Sequence, residues 1–283
     1  MEVTETGTPA KTTPASFWDK DYFTYVPPAF ITLILLVGQV FFGILDSYVN
    51  VVVSILTSVV AEVILARFVL GTRKNLASAY ITGISVGILV RSNMLWPYVI
   101  TALLSILSKY VIRYKGRHLW NPSNFGVSWM LFVAPAYVAG LGIQWGNYIL
   151  PMSVIWLLGL GIVYRAKKLH ITLAYVASFV ILAYVRSLIT GDTFLAEVSP
   201  LTGPMYQLFI FFMITDPGTT VSNKKGQILV VVLVAMVEFV LRLDGFIYAP
   251  FFALFLVGPV CRFIDLRRNP PKTAIKLATQ VNI

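Results

Sequence analysis

Sulfur, histidine and charge are what this chain has little of. Its 283 residues include one cysteine, Cys261, and two histidines, His118 and His170. A single cysteine excludes an internal disulfide and any cysteine-ligated iron–sulfur cluster held within one copy. The two histidines fall in different connections, so a bis-histidine haem is the one histidine-based centre they leave open. Missing too are a G-x-x-x-x-G-K-[ST] phosphate loop, a dinucleotide-binding glycine motif, an H-E-x-x-H helix and a nucleophile triad. Charged residues make up only 12% of the chain against 58% hydrophobic, with a mean hydropathy of +0.80. That balance lies outside soluble globular composition and reads as a polytopic membrane protein.

The apolar runs are long and continuous and do not alternate with period two, which predicts an all-α fold and not an outer-membrane barrel. About ten spans are expected, near 28–45, 49–70, 77–90, 95–112, 124–140, 149–164, 169–189, 203–215, 227–242 and 246–264. The third and eighth fall short of the roughly 20 residues that a straight crossing needs. Residues 1–24 read as a polar tail and not a signal peptide, 25–266 as one transmembrane domain, and 267–283 as a basic tail.

The net charge of +10 is distributed by topology. Alternate connections carry Arg67/Arg73/Lys74, Lys109/Arg113/Lys115/Arg117, Arg165/Lys167/Lys168 and Lys224/Lys225, and the C-terminal end Arg262/Arg267/Arg268/Lys272/Lys276. The other connections hold only Arg91, Arg186 and Arg242. This positive-inside pattern places both termini in the cytoplasm and makes the lipid bilayer, not nucleic acid, the partner of the charge. A bacterial cytoplasmic membrane is the expected location.

An internal echo divides the domain into halves, about 28–140 and 149–264. Thr82-Gly83 is followed by Pro97 fourteen residues after the glycine (97 − 83), and Thr202-Gly203 by Pro217 at the same distance (217 − 203). The second segment comes five spans after the first, so the two run in opposite directions, as in an inverted repeat. Two short, Gly/Pro-interrupted helices meeting near the midplane would leave backbone groups to line a ligand or ion site.

Two motifs carry the polar chemistry. In KGRHLWNPSNFG (115–126), Asn121-Pro122 breaks the helix, and Ser123 or Asn124 is placed to cap the next one. In FFMITDPGTT (211–220), Thr215-Asp216-Pro217 ends the eighth span, with Asp216 closing a turn with Gly218 and Thr219, capping the next helix, or contacting a ligand. Inside the spans, Glu62 and Glu238 must be paired, protonated or water-facing. Glu238 has Arg242 four residues on, the spacing of a helical ion pair. Glu62 has no cation at that spacing and reads either as an ion or proton relay or as a hydrogen-bonded acid; both acids are ion-pathway candidates.

The two motifs in this order resemble the RnfD/NqrB family, whose members are membrane components of the Rnf electron-transport complex and of the sodium-translocating NADH:quinone reductase. The likeness extends over roughly 28–264 and is nearest to stand-alone members, including those associated with enediyne biosynthesis. It implies a flavin-bearing membrane component of an electron-transport system, coupled to cation movement and working with other electron-transport subunits that handle NADH or ferredoxin. Family members attach FMN to the threonine of a Ser-Gly-Ala-Thr motif; the matching stretch here is Thr202-Gly-Pro-Met205, and a thioether cannot form the phosphoester. The resemblance therefore implies FMN or riboflavin held non-covalently. The implied cofactor-binding positions are Thr82, Gly83, Arg117, His118, Asn121, Pro122, Asn124, Thr202, Gly203, Thr215, Asp216 and Pro217. On the outer side Arg91, Arg186 and Arg242, with Thr193, Ser199 and Thr202 of the 190–202 loop, are candidates for holding a phosphate, the alternative being simple anchoring at the membrane interface. The same scaffold also admits a transporter or channel for a small solute, flavin-like or a secondary metabolite.

Overall fold

The structure is a computed structural model that describes residues 25–43, 45, 47–71, 76–140 and 149–270. Both expected tails therefore lie largely outside the described residues, as do Arg73 and Lys74. The first half contains α1 (Val26–Phe42), α2 (Tyr48–Leu70), α3 (Ala77–Leu89), α4 (Trp96–Val111) and α5 (Pro122–Val133). The second contains α6 (Ile149–Arg165), α7 (Leu169–Thr190), the short α8 (Phe194–Val198) and α9 (Pro204–Leu208), then α10 (Lys224–Leu243) and α11 (Ala249–Arg268). Two-residue strands close the connections: β1 (Val90–Arg91) pairs antiparallel with β4 (Ala139–Gly140), and β2 (Arg113–Tyr114) with β3 (Arg117–His118). The β2–β3 hairpin turns through Lys115 and Gly116, both at positive φ, and marks one end of the bundle, the hairpin end.

The chain is a helical membrane protein. Four described helices are long and apolar enough to cross a bilayer, within 48–69, 169–190, 224–243 and 249–268. The distribution of polarity is inverted relative to a water-soluble domain: α2 exposes Leu56, Val60 and Phe68 while burying Ser54, Ser58 and Glu62. Hydrocarbon around the bundle accounts for both faces at once.

Local chemistry explains where the helices stop. Asn121 caps α5, its side-chain oxygen accepting from Asn124 N at 3.0 Å, with Pro122 in the first turn. The expected cap at Ser123 or Asn124 is thus displaced to the residue before the proline, because proline suits the first helical turn and not the cap. The fifth helix ends at Val133 and not near 140: Pro135 forbids continuation, and the chain turns to pair Ala139–Gly140 with Val90–Arg91.

The two short segments are built differently. α3 has 13 residues, about 20 Å of rise, against a hydrocarbon core of about 30 Å. It lies tight against α2 because Gly83 and Gly87 present no side chain there. A Cβ on Gly83 would sit 2.5 Å from Ile55 Cα, and one on Gly87 2.8 Å from Val51 Cα. This small-xxx-small spacing lets two helix backbones touch. In the second half, α9 gives way after five residues to a π-helical turn, Phe209–Met213, in which Ile214 N donates to Phe209 O at 3.0 Å. Such widened turns recur at functional sites. Gly159 of α6 makes room for the Phe211 ring, and Trp156 meets that ring edge-on at 5.3 Å. Tyr175, Tyr206, Phe209, Phe211 and Phe251 fill the centre of the bundle.

Candidate functional site

Both short segments, the unbroken α3 and the π-interrupted segment of the second half, contribute to one cavity of about 500 Å³; the expected interruption is thus found in the second segment and not in the first. The start of α3 supplies Ala77, Ser78, Ile81 and Thr82; the π-helical turn and the loop after it supply Phe211, Phe212, Thr215, Asp216 and Pro217. Asn121, Pro122 and Ser123 from the start of α5 and the last turns of α6 complete it. Its lining is mainly apolar, with Ser78, Thr82, Asn121, Ser123, Thr215 and Asp216 as the polar members.

The two signature turns are bonded to each other across the halves. Asn121 Nδ2 donates to Asp216 Oδ2 at 3.1 Å, while Asp216 also accepts from Gly218 N at 2.9 Å and Thr219 Oγ1 at 3.0 Å. Asp216 therefore closes the turn expected of it and at the same time lines the cavity. Arg262 grips the same loop from α11, donating to the carbonyls of Thr220 at 2.7 Å and Gly218 at 3.3 Å. In the α6–α7 turn, Lys168 has its ammonium pushed below the ordinary lysine range, first by burial and then by the Arg262 guanidinium, with Asp216 acting in the opposite sense. Arg262 is itself paired with Asp265 at 3.2 Å, so the hairpin end of the site sets two cations, Lys168 and Arg262, beside two carboxylates, Asp216 and Asp265.

Of the implied cofactor positions, Thr82, Asn121, Pro122, Thr215, Asp216 and Pro217 meet at the cavity. His118 stands beside it, its ring against Gly218. Arg117 is exposed on the hairpin. Asn124 faces elsewhere, donating to Phe251 O at 3.2 Å, and Gly83 serves the contact with α2. Thr202 and Gly203 lie at the far end of the interrupted segment, where Thr202 Oγ1 donates to Ser199 O at 2.6 Å and Gly203 caps α9. Met205 packs against the core beside Tyr206. The expected phosphate ligands Arg186 and Arg242 are occupied by Glu197 and by Glu238 with Tyr206 respectively.

Glu62 and Glu238, the two acids expected inside spans, are both paired. Glu238 and Arg242 form the ion pair read from their spacing, at 3.3 Å, and the hydroxyls of Tyr175 and Tyr206 each donate to the carboxylate at 2.5 Å. Glu62 is paired with Lys109 of α4 at 2.6 Å and accepts from the Tyr110 hydroxyl at 2.8 Å. Helical spacing along α2 alone gives no sign of this, because the partner lies on a different helix, 47 residues away.

Against known proteins, about half of the chain has counterparts. The D subunit of the ion-translocating oxidoreductase complex of Cronobacter sakazakii is 27% identical over 159 residues, 55% of this chain and 43% of that protein. Its Shewanella sediminis counterpart is 29% identical over 157 residues, covering 55% and 40% respectively. The chain is thus similar to RnfD proteins over about half of its length. The match spans about two fifths of the length of these curated RnfD proteins. No family model matches the chain.

Proposed function

We propose that the chain is an integral membrane subunit of an electron-transport system and that it holds a flavin, FMN or riboflavin, non-covalently in the cavity between its two short segments. The observation that carries this reading is the convergence on one cavity of both signature turns and both short segments. The residues present fit an isoalloxazine ring. Phe211, Phe212, Ile81, Ile162 and Val163 offer an apolar slot, and Ser78, Thr82 and Ser123 offer hydroxyls at one edge. A bound flavin supplies reversible acceptance of electrons; the chain's own residues orient it, exclude lipid and satisfy its polar edge. Met205 in the acceptor position, and a Tyr206 hydroxyl already committed to Glu238 and Arg242, support non-covalent retention.

The inverted repeat belongs to the same proposal. α2 packs along α4 and α4 along α5; in the second half α7 packs along α10 and α10 along α11. A buried carboxylate bridges helices at corresponding interfaces of the two halves, Glu62 between α2 and α4 and Glu238 between α7 and α10, although the second half also buries Glu197 and Asp265. This arrangement and the placement of positive charge support ten crossings or re-entrant segments with cytoplasmic termini, in a bacterial inner membrane.

Riboflavin fluorescence tests the site. Titration of detergent-purified protein is expected to give saturable quenching, and Ile81→Trp, which fills the cavity from its wall, is expected to weaken binding at least about tenfold while leaving the unfolding temperature unchanged. Equal binding by the variant, or no quenching by the parent protein, would remove flavin from this cavity. Colourless protein that carries solute into liposomes would instead favour a transporter on the same scaffold.

A further inference from the structure

The Glu62–Lys109 pair lies one hydroxyl away from the cavity. Lys109 Nζ donates to Glu62 Oε2 at 2.6 Å and to Ser78 Oγ at 3.3 Å, and the Tyr110 hydroxyl holds the other carboxylate oxygen at 2.8 Å. Glu62 and Lys109 are buried, at 1% and 7% exposure, whereas Ser78 is exposed and lines the cavity. Neutralising Glu62 requires only the first of the two Lys109 bonds. The second points the same ammonium toward the space where a ligand would sit, and an ammonium has three donors to share. Tyr110 gives Glu62 a hydrogen bond that does not depend on Lys109.

On the reading that the cavity holds a ligand, we propose that Lys109 is an exchangeable counter-ion, paired with Glu62 while the ligand beside Ser78 is neutral and drawn through Ser78 toward the cavity when that ligand becomes anionic. The ligand class that suits such a device is a ring system that alternates between neutral and anionic forms with its redox state, and not a permanently charged solute. No covalent bond in the protein forms or breaks. The electrons come from an external carrier, and the protein's contribution is to move one positive charge between two oxygens. Glu62, released from Lys109, is then the group able to take up a cation in exchange.

An introduced thiol reports on this without any flavin. In a Cys261→Ser background, Ser78→Cys places sulfur where the hydroxyl meets Lys109, and only the thiolate reacts with a maleimide. At pH 7, N-ethylmaleimide is expected to modify it roughly tenfold faster than in the same protein carrying Glu62→Gln and Lys109→Met together, because the ammonium stabilises the thiolate. Glu62→Gln alone is expected to raise the rate roughly a further threefold, since the carboxylate no longer competes for Lys109. The doubly neutral variant avoids leaving an unpaired buried charge, so it is the folded comparison. An unreactive thiol, equal rates in the parent and the doubly neutral variant, or slowing by Glu62→Gln would each overturn the proposal. Riboflavin added as a protectant separates the two readings. Protection without the rate order overturns the Lys109 exchange alone. The rate order without protection leaves the exchange standing and removes flavin as the occupant.

Discussion

Glu238→Ala is expected to destabilise the protein by about 3–5 kcal/mol, the cost of removing one partner from a buried ion pair. The carboxylate is 1% exposed and accepts from Tyr175 and Tyr206 while pairing with Arg242. Alanine leaves two phenol hydroxyls without an acceptor and a guanidinium without its counter-charge, all inside the bundle. Glu238→Gln keeps the volume and one acceptor oxygen, and is expected to lose about half as much. Arg242 also lies over the rings of Phe179 and Tyr206, with centroid distances of 5.5 and 5.4 Å, so its displacement loosens the aromatic core as well. Chemical unfolding in mild detergent measures the difference. A Glu238→Ala protein within about 1 kcal/mol of the parent would mean that the cluster is not a structural clamp between α7 and α10.

Gly83→Val is expected to cost about 3 kcal/mol or more through overpacking. The added Cβ meets backbone and not a side chain that can swing away: Ile55 Cα is 2.5 Å from it and Ile55 N 3.0 Å. α2 and α3 must separate, and because Ile81 and Thr82 on α3 line the cavity, its wall moves with them. Riboflavin binding should therefore fall together with stability. Gly71→Ala serves as the control, since that position has open space around it but a left-handed backbone with φ of 63°; it is expected to cost about 1 kcal/mol, with binding retained. Thermal unfolding followed by size-exclusion chromatography distinguishes the two. A Gly83→Val protein as stable as the parent would show that α2 and α3 are not in backbone contact.

What is legible in the sequence is local. Asn121-Pro122 and Asp216-Pro217 announce turns because proline and short polar side chains dictate backbone geometry within a few residues. The shortness of α3 and the interruption after Leu208 accord with limited apolar length. The Glu238–Arg242 pair is legible for the same reason, both residues lying one helical turn apart. Pairings across helices are not legible: nothing near Glu62 in the chain names Lys109, and nothing near Asp216 names Asn121, 95 residues before it. Two residue signals mean more than composition suggests. Pro135 marks the end of α5, and Gly83 and Gly87 mark a close helix contact, whereas the family resemblance assigns Gly83 to the ligand. The cavity depends on how α3, α5, α6 and the π-helical turn come together, a property of packing that periodicity does not encode.

The most direct measurement is the visible absorption spectrum of the detergent-purified protein, recorded before and after dithionite and again on the supernatant after acid precipitation. A flavin band that bleaches on reduction and passes wholly into the supernatant, and that is missing from the Ile81→Trp protein, is the result predicted. A protein without that band after preparation with riboflavin and FMN present, or one whose flavin stays with the precipitate, would contradict a redox ring held non-covalently between the two short segments.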